Sequence, residues 1–485
     1  MLLSELLKNV EYTLIQGDID QDIDKLTIDS RQAKAGTLFV CIAGFTTDGH
    51  KYIPSAAQNG CTAIICEKET ELPAGVTGVF VKNGSREALA KIASAFYGEP
   101  SRKFKLIGVT GTNGKTSSTY FLETILRRLG HKTGVIGTVG ITINGVKQDI
   151  KMATSTTPDT IELQEIFAHM ADNGVDEVIM EVSSHGLALQ KVDCSDFDIA
   201  IFTNLTQDHL DFHKTMENYC DAKAKLFKMC KTGVINADDK WSEKIIAQAD
   251  CAIKTFGMEK QADIFAKNIV YHMDKVTFTV ETAGRSLDLT LNVPGRFSVY
   301  NALGVIGAAF ALGISDEDIK AGIAAIKGVP GRIQNIPNDR GINVIVDYAH
   351  TPDGVENILN AVREFTKGRI LTVFGCGGDR DRTKRPIMGE IAGRLSDHCF
   401  VTSDNPRSEE PIDILHEIEP GVKSVTDNYS LIVDRREAIF AAVKEAKPGD
   451  SVVIAGKGHE DYEIFKDRTI HFDDAEVASE ALKEL

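Results

Sequence analysis

The segment Gly108-Val-Thr-Gly-Thr-Asn-Gly-Lys-Thr116 constrains this chain most. A short apolar run, Phe104 to Ile107, precedes it and reads as a buried parallel strand. After it, Phe121, Leu122, Ile125, Leu126 and Leu129 recur at helical spacing, and Gly130 stands where a helix C-cap belongs. Strand, glycine loop and helix together aim backbone N–H groups and a helix N-terminus at a phosphate. In that geometry Lys115 reaches the terminal phosphates and the Thr116 hydroxyl sits on a magnesium ion. Val109 occupies the first glycine position of G-x-x-x-x-G-K-[ST], so the match to that pattern is incomplete. The expectation is an ATP-binding loop.

At 485 residues the chain has room for about three domains of roughly 150 residues each. Its 42% hydrophobic and 26% charged content describes an ordinary soluble protein. A net charge of −16 argues against nucleic acid as a partner, although local basic residues still allow an anionic small substrate. Nine scattered cysteines without a C-x-x-C pair fit reduced thiols, not a disulfide framework or a zinc site. Met1 to Asn9 reads as an amphipathic helix without the features of a signal peptide. Ala302 to Ile314 is too short and too rich in Gly and Ala to span a bilayer. A cytoplasmic protein without membrane insertion is expected.

The fold class expected is α/β, in domains over 1–100, 101–328 and 329–485. In the first, Gly36–Ile42, Thr62–Cys66 and Gly78–Lys82 read as strands and Glu87–Tyr97 as a helix. Asp29-Ser30-Arg31 and Gly44-Phe-Thr-Thr-Asp-Gly-His50 read as loops, and Glu99–Arg102 as a linker. Strand–helix alternation then predicts a mostly parallel sheet covered on both faces. Its strands at 178–180 and 199–202 end in Glu181 and in Thr203-Asn204, with Asp208-His209 beyond. Ligands of open parallel sheets sit beyond the carboxyl ends of the strands, which puts the loop, Glu181 and His209 on one rim. By residue type alone, His209 is as ordinary as any hydrogen-bonding histidine, and Lys223 is one exposed charge on a helix.

A breaker-rich stretch, Gly328-Val-Pro-Gly-Arg332, follows a helix over Glu317–Ile326. Four apolar strands come next, at 342–346, 370–374, 399–402 and 452–455, and each delivers a charged or glycine-rich loop. Asn301, Arg332, Asp347 and His350 are candidates to close on a nucleotide. Arg380 and Arg407 suit a ligand carboxylate, because a planar guanidinium pairs both oxygens; surface ion pairs are the alternative.

In order along the whole chain, these motifs resemble the Mur ligases of peptidoglycan synthesis. They are Asp29-Ser-Arg31, Gly111–Thr116, Ser155-Thr-Thr-Pro158, Glu181-Val-Ser-Ser-His185, Thr203-Asn204 with Asp208-His209, and Tyr300-Asn-Ala302. Gly331-Arg332, Asp347–Pro352, Gly377–Arg380, Asp404–Arg407 and Gly456–Glu460 continue the series. The shortened Gly-Thr-Asn-Gly-Lys-Thr loop is the family's own form. The resemblance implies an N-terminal domain for a UDP-linked substrate, a central ATPase domain and a C-terminal Rossmann-like domain for an amino acid. Gly111, Thr112, Asn113, Gly114, Lys115, Thr116 and Ser117 would hold ATP, with Asn301, Arg332, Asp347 and His350. Ser30 would contact the UDP moiety, while Thr156, Thr157, Ser183 and Lys191 would hold the muramoyl-dipeptide; the family usually has arginine at that last position. Lys223 matches the family's carbamylated lysine, so magnesium would meet Thr116, Glu181, His209 and that carbamate.

The implied reaction phosphorylates the terminal D-glutamate carboxylate of UDP-N-acetylmuramoyl-L-alanyl-D-glutamate, and an amine then displaces phosphate from the acyl phosphate. Lys115, Glu181, His209 and Lys223 would be the catalytic set. Asp404-Asn405-Pro406-Arg407 marks members that add meso-2,6-diaminopimelate, with Arg380, Gly456 and Glu460 completing that site. L-Lysine as acceptor, a folylpolyglutamate synthetase-like ligase and a nucleotide-dependent binding protein without ligation are the other readings. The partners expected are small-molecule substrates, and the protein is expected to be a monomer.

Overall fold

The computed structural model describes every residue except Phe45, Thr46, Lys151, Ser155, Met273, Pro330 and Leu485. Readings that touch Phe45, Thr46, Ser155 and Pro330 therefore lie outside the described residues. The chain divides into two compact bodies, Met1–Ala262 with Gly304–Ile314, and Asp263–Leu303 with Ser315–Leu485. Three α/β domains follow one another along it. None of the described helices is long and apolar enough to cross a membrane, and all nine cysteines are free thiols.

The first body opens with a five-stranded sheet that includes Thr37–Val40, Ala63–Cys66 and Thr77–Val81, each within a residue or two of its predicted span. The helix predicted over Met1–Asn9 shrinks to Leu3–Leu6. At its start the Met1 carbonyl, which would accept from Glu5 N in a longer helix, accepts from Ile23 N, while Leu3 N and Ser4 N donate to Gln21 O and Ile19 O. Leu3, Leu6 and Leu7 are nevertheless buried, so the apolar face was read correctly.

Six parallel strands follow in the order Ala252–Gly257, Cys230–Asn236, Phe197–Phe202, Lys105–Thr110, Glu177–Glu181 and Thr133–Gly137. Register matters for the site. Val109 lies opposite both Glu181 and Ile201, so three strands end level with one another. The helix Lys115–Arg128 buries Phe121, Leu122, Ile125 and Leu126 beneath them. It stops at Gly130, whose φ of +84° lets His131 N reach back to Leu126 O.

The second body contains an antiparallel meander, Ile264–Tyr271, Val276–Thr282 and Arg285–Leu291, with the helix Asp316–Ala325 packed on its last strand. The expectation of strand–helix repeats through this stretch is corrected here. Val276, Phe278 and Val280 are buried on one face, a period-two pattern that belongs to a half-covered antiparallel sheet. Beyond it lies a six-stranded sheet ordered Gln334–Asn335, Asn343–Asp347, Ser451–Ala455, Ile370–Phe374, His398–Val401 and Tyr429–Leu431. All but the first of these strands run parallel. Asp347 and Phe374 both lie opposite Ala455, and Phe374 opposite Val401, so four predicted strands also end on one rim.

Candidate functional site

In the first body, the glycine loop is braced by the neighbouring strand end. Thr203 Oγ1 donates to Asn113 O at 2.6 Å, and the Asn204 side chain both accepts from Asn113 N and donates to Asn113 O. A Cβ on Gly111 would fall 1.8 Å from Thr203 Oγ1 and 3.1 Å from Asn204 N, so only glycine fits against that brace. Gly114, at φ +86°, turns the chain into the helix that begins with Lys115. Thr112 leans on Thr206 O and the Tyr219 hydroxyl. Ser117 lies in the first turn of the helix.

Two lysines meet behind this loop. Lys115 Nζ donates to Gly111 O and Thr112 O, both at 2.8 Å, and Lys223 Nζ donates to the same Gly111 O at 2.9 Å. Lys223 is 1% exposed, so reading it by residue type as an exposed helix charge is corrected. Burial, reinforced by the charge of Lys115, pushes its amine well below the usual lysine range. Tyr219 lies beneath it, with Nζ 4.7 Å from the ring centroid.

Thr116 and Glu181 come together as the topology predicts. Glu181 Oε1 accepts from Thr116 Oγ1 and from Thr138 N, and Oε2 accepts from Thr138 Oγ1, each at 3.0 Å. The carboxylate is buried and aimed at a hydroxyl, a hard oxygen pair suited to magnesium. Thr138 was not anticipated; it sits just past a strand end without a recognisable motif. His209 stands in left-handed backbone at φ +53° and touches Asp208, His185 and Tyr219. Its imidazole is pulled below the ordinary range by burial and by Lys115 and Lys223, so it feels both lysines. Among the described residues no three His, Cys, Asp or Glu side chains cluster as a metal site.

Beside Glu181, Thr156 Oγ1 is 3.3 Å from Thr138 Oγ1, and Thr157 Oγ1 donates to Glu181 O while accepting from Ser183 N. Ser183 caps the short helix Ser184–Ala188 by accepting from Gly186 N. Lys191 is nearly buried and pairs with Asp159 at 2.7 Å. Ser30 is buried in a short turn capped by Asp29, and its carbonyl accepts from Asn59. A second cluster escaped the sequence: His213 Nε2 lies 2.9 Å from Ser184 Oγ, and its ring stacks on Tyr219 at 4.9 Å.

In the second body, Asp347 is buried and accepts from Ile333 N and Ala349 N, with burial pushing its carboxyl up against the charge of Arg332. The Arg332 guanidinium lies 5.0 Å from the Tyr348 ring centroid. His350, exposed, holds Tyr348 O through Nδ1 at 2.8 Å. Arg332, Asp347 and His350 thus form one group, while Asn301 is buried in the separate helix Arg296–Ala311.

The remaining candidates converge around Asn405. Its Oδ1 accepts from Lys457 Nζ and Ile464 N, which fixes the amide so that Nδ2 donates to Glu460 Oε2 at 2.8 Å. A Cβ on Gly456 would fall 2.7 Å from Asp404 Oδ2, and one on Gly378 would fall 1.9 Å from Pro406 O, so the loops touch backbone to side chain and backbone to backbone. Arg407 Nη1 donates to Gly378 O at 2.9 Å and to Asn405 O at 3.3 Å, whereas Arg380 is exposed on the adjoining loop. Sequence reasoning missed the supports below. Lys457 is fully buried. Arg435, also buried, binds both oxygens of Asp474 and donates to Ser403 O and Ala455 O, tying two strand ends together. Removing one partner of such a pair costs about 3–5 kcal/mol, because it strands a buried charge.

The chain matches the Mur ligase middle domain over residues 109–309, the Mur ligase, glutamate ligase domain over 331–458, and the Mur ligase family, catalytic domain over 22–97. A Clostridium botulinum protein named UDP-N-acetylmuramoyl-L-alanyl-D-glutamate–2,6-diaminopimelate ligase is 48% identical, with 100% of each chain covered. A solved structure of a ligase with that name is 30% identical, with a TM-score of 0.73, covering 100% of this chain and 99% of the other. Folylpolyglutamate synthase of Mycobacterium tuberculosis, complexed with ADP and AMPPCP, shares the fold at 19% identity and a TM-score of 0.61. It covers 92% of its own chain but only 76% of this one. With three domain models matched in order and full-length identity near one half, the chain belongs to the Mur ligase family.

Proposed function

We propose that this chain is an ATP-dependent, ADP-forming ligase. It joins meso-2,6-diaminopimelate to the D-glutamate carboxylate of UDP-N-acetylmuramoyl-L-alanyl-D-glutamate through an acyl phosphate. The observation that carries the acceptor assignment is Arg407, held by the carbonyls of Gly378 and Asn405 beside the hydrogen-bonded Asn405–Glu460 pair. A guanidinium held in one place suits the second carboxylate of diaminopimelate, and Glu460 suits its ammonium end. The names of the relatives support the same substrates. Residues 1–100 would take the UDP moiety at Ser30, 101–328 would use ATP, and 329–485 would receive the amino acid.

Gly111 to Ser117 would cradle the phosphates with backbone N–H groups, and Lys115 would leave its own loop carbonyls to meet the transferred phosphoryl group. Asn301, Arg332, Asp347 and His350 would contact the rest of the nucleotide. The hydroxyl of Thr116 and the carboxylate of Glu181 fit magnesium, with His209 and a carbamylated Lys223 completing the set. When bound, that ion supplies charge neutralisation at the phosphates. Burial shifts the Lys223 amine toward its neutral form, the form that adds CO2 to give a carbamate. Thr156, Thr157, Ser183 and Lys191 would orient the glutamate carboxylate toward the phosphate, and exclusion of water would protect the acyl phosphate until the amine attacks. The enzyme would act as a cytoplasmic monomer.

Phosphate release tests this reading with UDP-muramoyl-dipeptide, ATP and magnesium, and with diaminopimelate or lysine added separately. Release should require diaminopimelate. No release with either amino acid would sink the ligase assignment, and faster release with lysine would sink the acceptor.

A further inference from the structure

Two loops carry the acceptor arginines, and a set of contacts, most of them outside the proposed binding residues, laces them together. Ser408 donates to Asp379 twice, from N at 3.2 Å and from Oγ at 2.5 Å. Asp379 N donates back across the seam to Glu409 Oε1 at 2.6 Å, and Gly378 N donates to Asn405 O at 2.9 Å. Beneath the seam lies Arg385, 0% exposed, which grips both oxygens of Glu409 at 2.8 and 2.9 Å. It also bonds Glu417 at 2.7 Å and Gly377 O at 3.3 Å. The hydrogen bonds from Arg385 hold the Glu409 carboxyl down at about 2. Asp379 at φ +53° and Arg407 at φ +54° are both non-glycine residues in left-handed backbone, one on each side of the seam. Such strain persists only where the surroundings over-determine it, and here the lacing does so.

We propose that the Asp379–Ser408 and Arg385–Glu409 contacts form a clasp that sets acceptor specificity, holding Arg380 and Arg407 at the spacing a second ligand carboxylate requires. The inference rests on the function proposed above. The clasp residues act through the two arginines and are positioning residues. An acceptor with an uncharged or cationic tip does not use that spacing, so loosening the clasp penalises diaminopimelate selectively.

The test compares kcat/KM for diaminopimelate and for L-lysine in the full-length protein and in Glu409→Gln, Ser408→Ala and Ser408→Thr. Selectivity should fall about tenfold in Glu409→Gln and about threefold in Ser408→Ala, because a site loosened by a fraction of an ångström loses its bidentate contact. The loss should appear in KM for diaminopimelate, with KM for ATP and for the UDP-linked substrate unchanged. Ser408→Thr, which keeps the hydroxyl, should retain the wild-type preference. Selective variants in a selective wild-type background would overturn the clasp alone. So would parallel losses with both amino acids, which would mark the contacts as merely structural. A wild-type enzyme indifferent to diaminopimelate would instead overturn the functional reading on which the clasp depends.

Discussion

The rim proposed for phosphate and the rim proposed for the amino acid are both built where parallel strands end level, yet they hold their loops in different ways. Around Gly111–Thr116 the contacts are mostly with backbone: Thr203 and Asn204 brace Asn113, and Lys115 and Lys223 share Gly111 O. Around Asp404–Arg407 the framework is ionic, with the buried cations Arg385, Arg435 and Lys457 each paired to a carboxylate. Phosphate is a common group that backbone N–H donors recognise, so one short motif suffices. An amino acid with two carboxylates is recognised by side chains, and their directions must be set by other side chains.

If that contrast holds, the two rims should fail differently. Lys115→Met should lower turnover by about 10³-fold with every acceptor, because one donor of charge stabilisation is lost; phosphate release measures it, and a loss confined to one amino acid would break the contrast. Arg407→Ala should lower kcat/KM for diaminopimelate by about 10²–10³-fold, since a buried or bound carboxylate is left unpaired, while KM for ATP stays put. Steady-state kinetics with each substrate varied in turn would show it, and equal losses for ATP would mean the arginine only supports the fold.

How much of this was legible follows the same division. The glycine loop, Glu181 and the strand ends were readable because backbone chemistry leaves glycines, apolar runs and turns in the sequence. Thr138, Tyr219 and His213 were not, since nothing local distinguishes a threonine that orients Glu181 from any other threonine. Lys223 shows the limit most sharply. Its helix supplies no local sign that the amine will be buried on Gly111 O, more than a hundred residues away in sequence.

Two smaller effects sharpen the phosphate side. Thr138→Val removes one hydrogen bond to Glu181 Oε2 and should weaken magnesium dependence about tenfold, as loss of an outer-shell partner does; a magnesium titration of turnover would find it, and an unchanged midpoint would detach Thr138 from the ion. His213 offers a pH readout. Burial and the neighbouring His185 lower its imidazole from 6.5 to about 4 in the fold. Between those values the unfolded chain binds more protons, so this group's contribution makes stability fall as pH drops from 6.5 toward 4. In His213→Gln that contribution vanishes, and thermal unfolding measured from pH 7 to pH 4.5 should show a shallower decline than wild type. Parallel declines would assign the acid sensitivity elsewhere.

By itself, the sequence determined the α/β layering, the phosphate loop and the order of motifs, because periodicity and turn chemistry act over a few residues. Only the tertiary structure decided which polar side chains are buried, which share one carbonyl or carboxylate, and how two distant loops are laced. Those outcomes depend on register and packing between segments far apart in the chain, and desolvation gives such contacts their strength only after the segments have met.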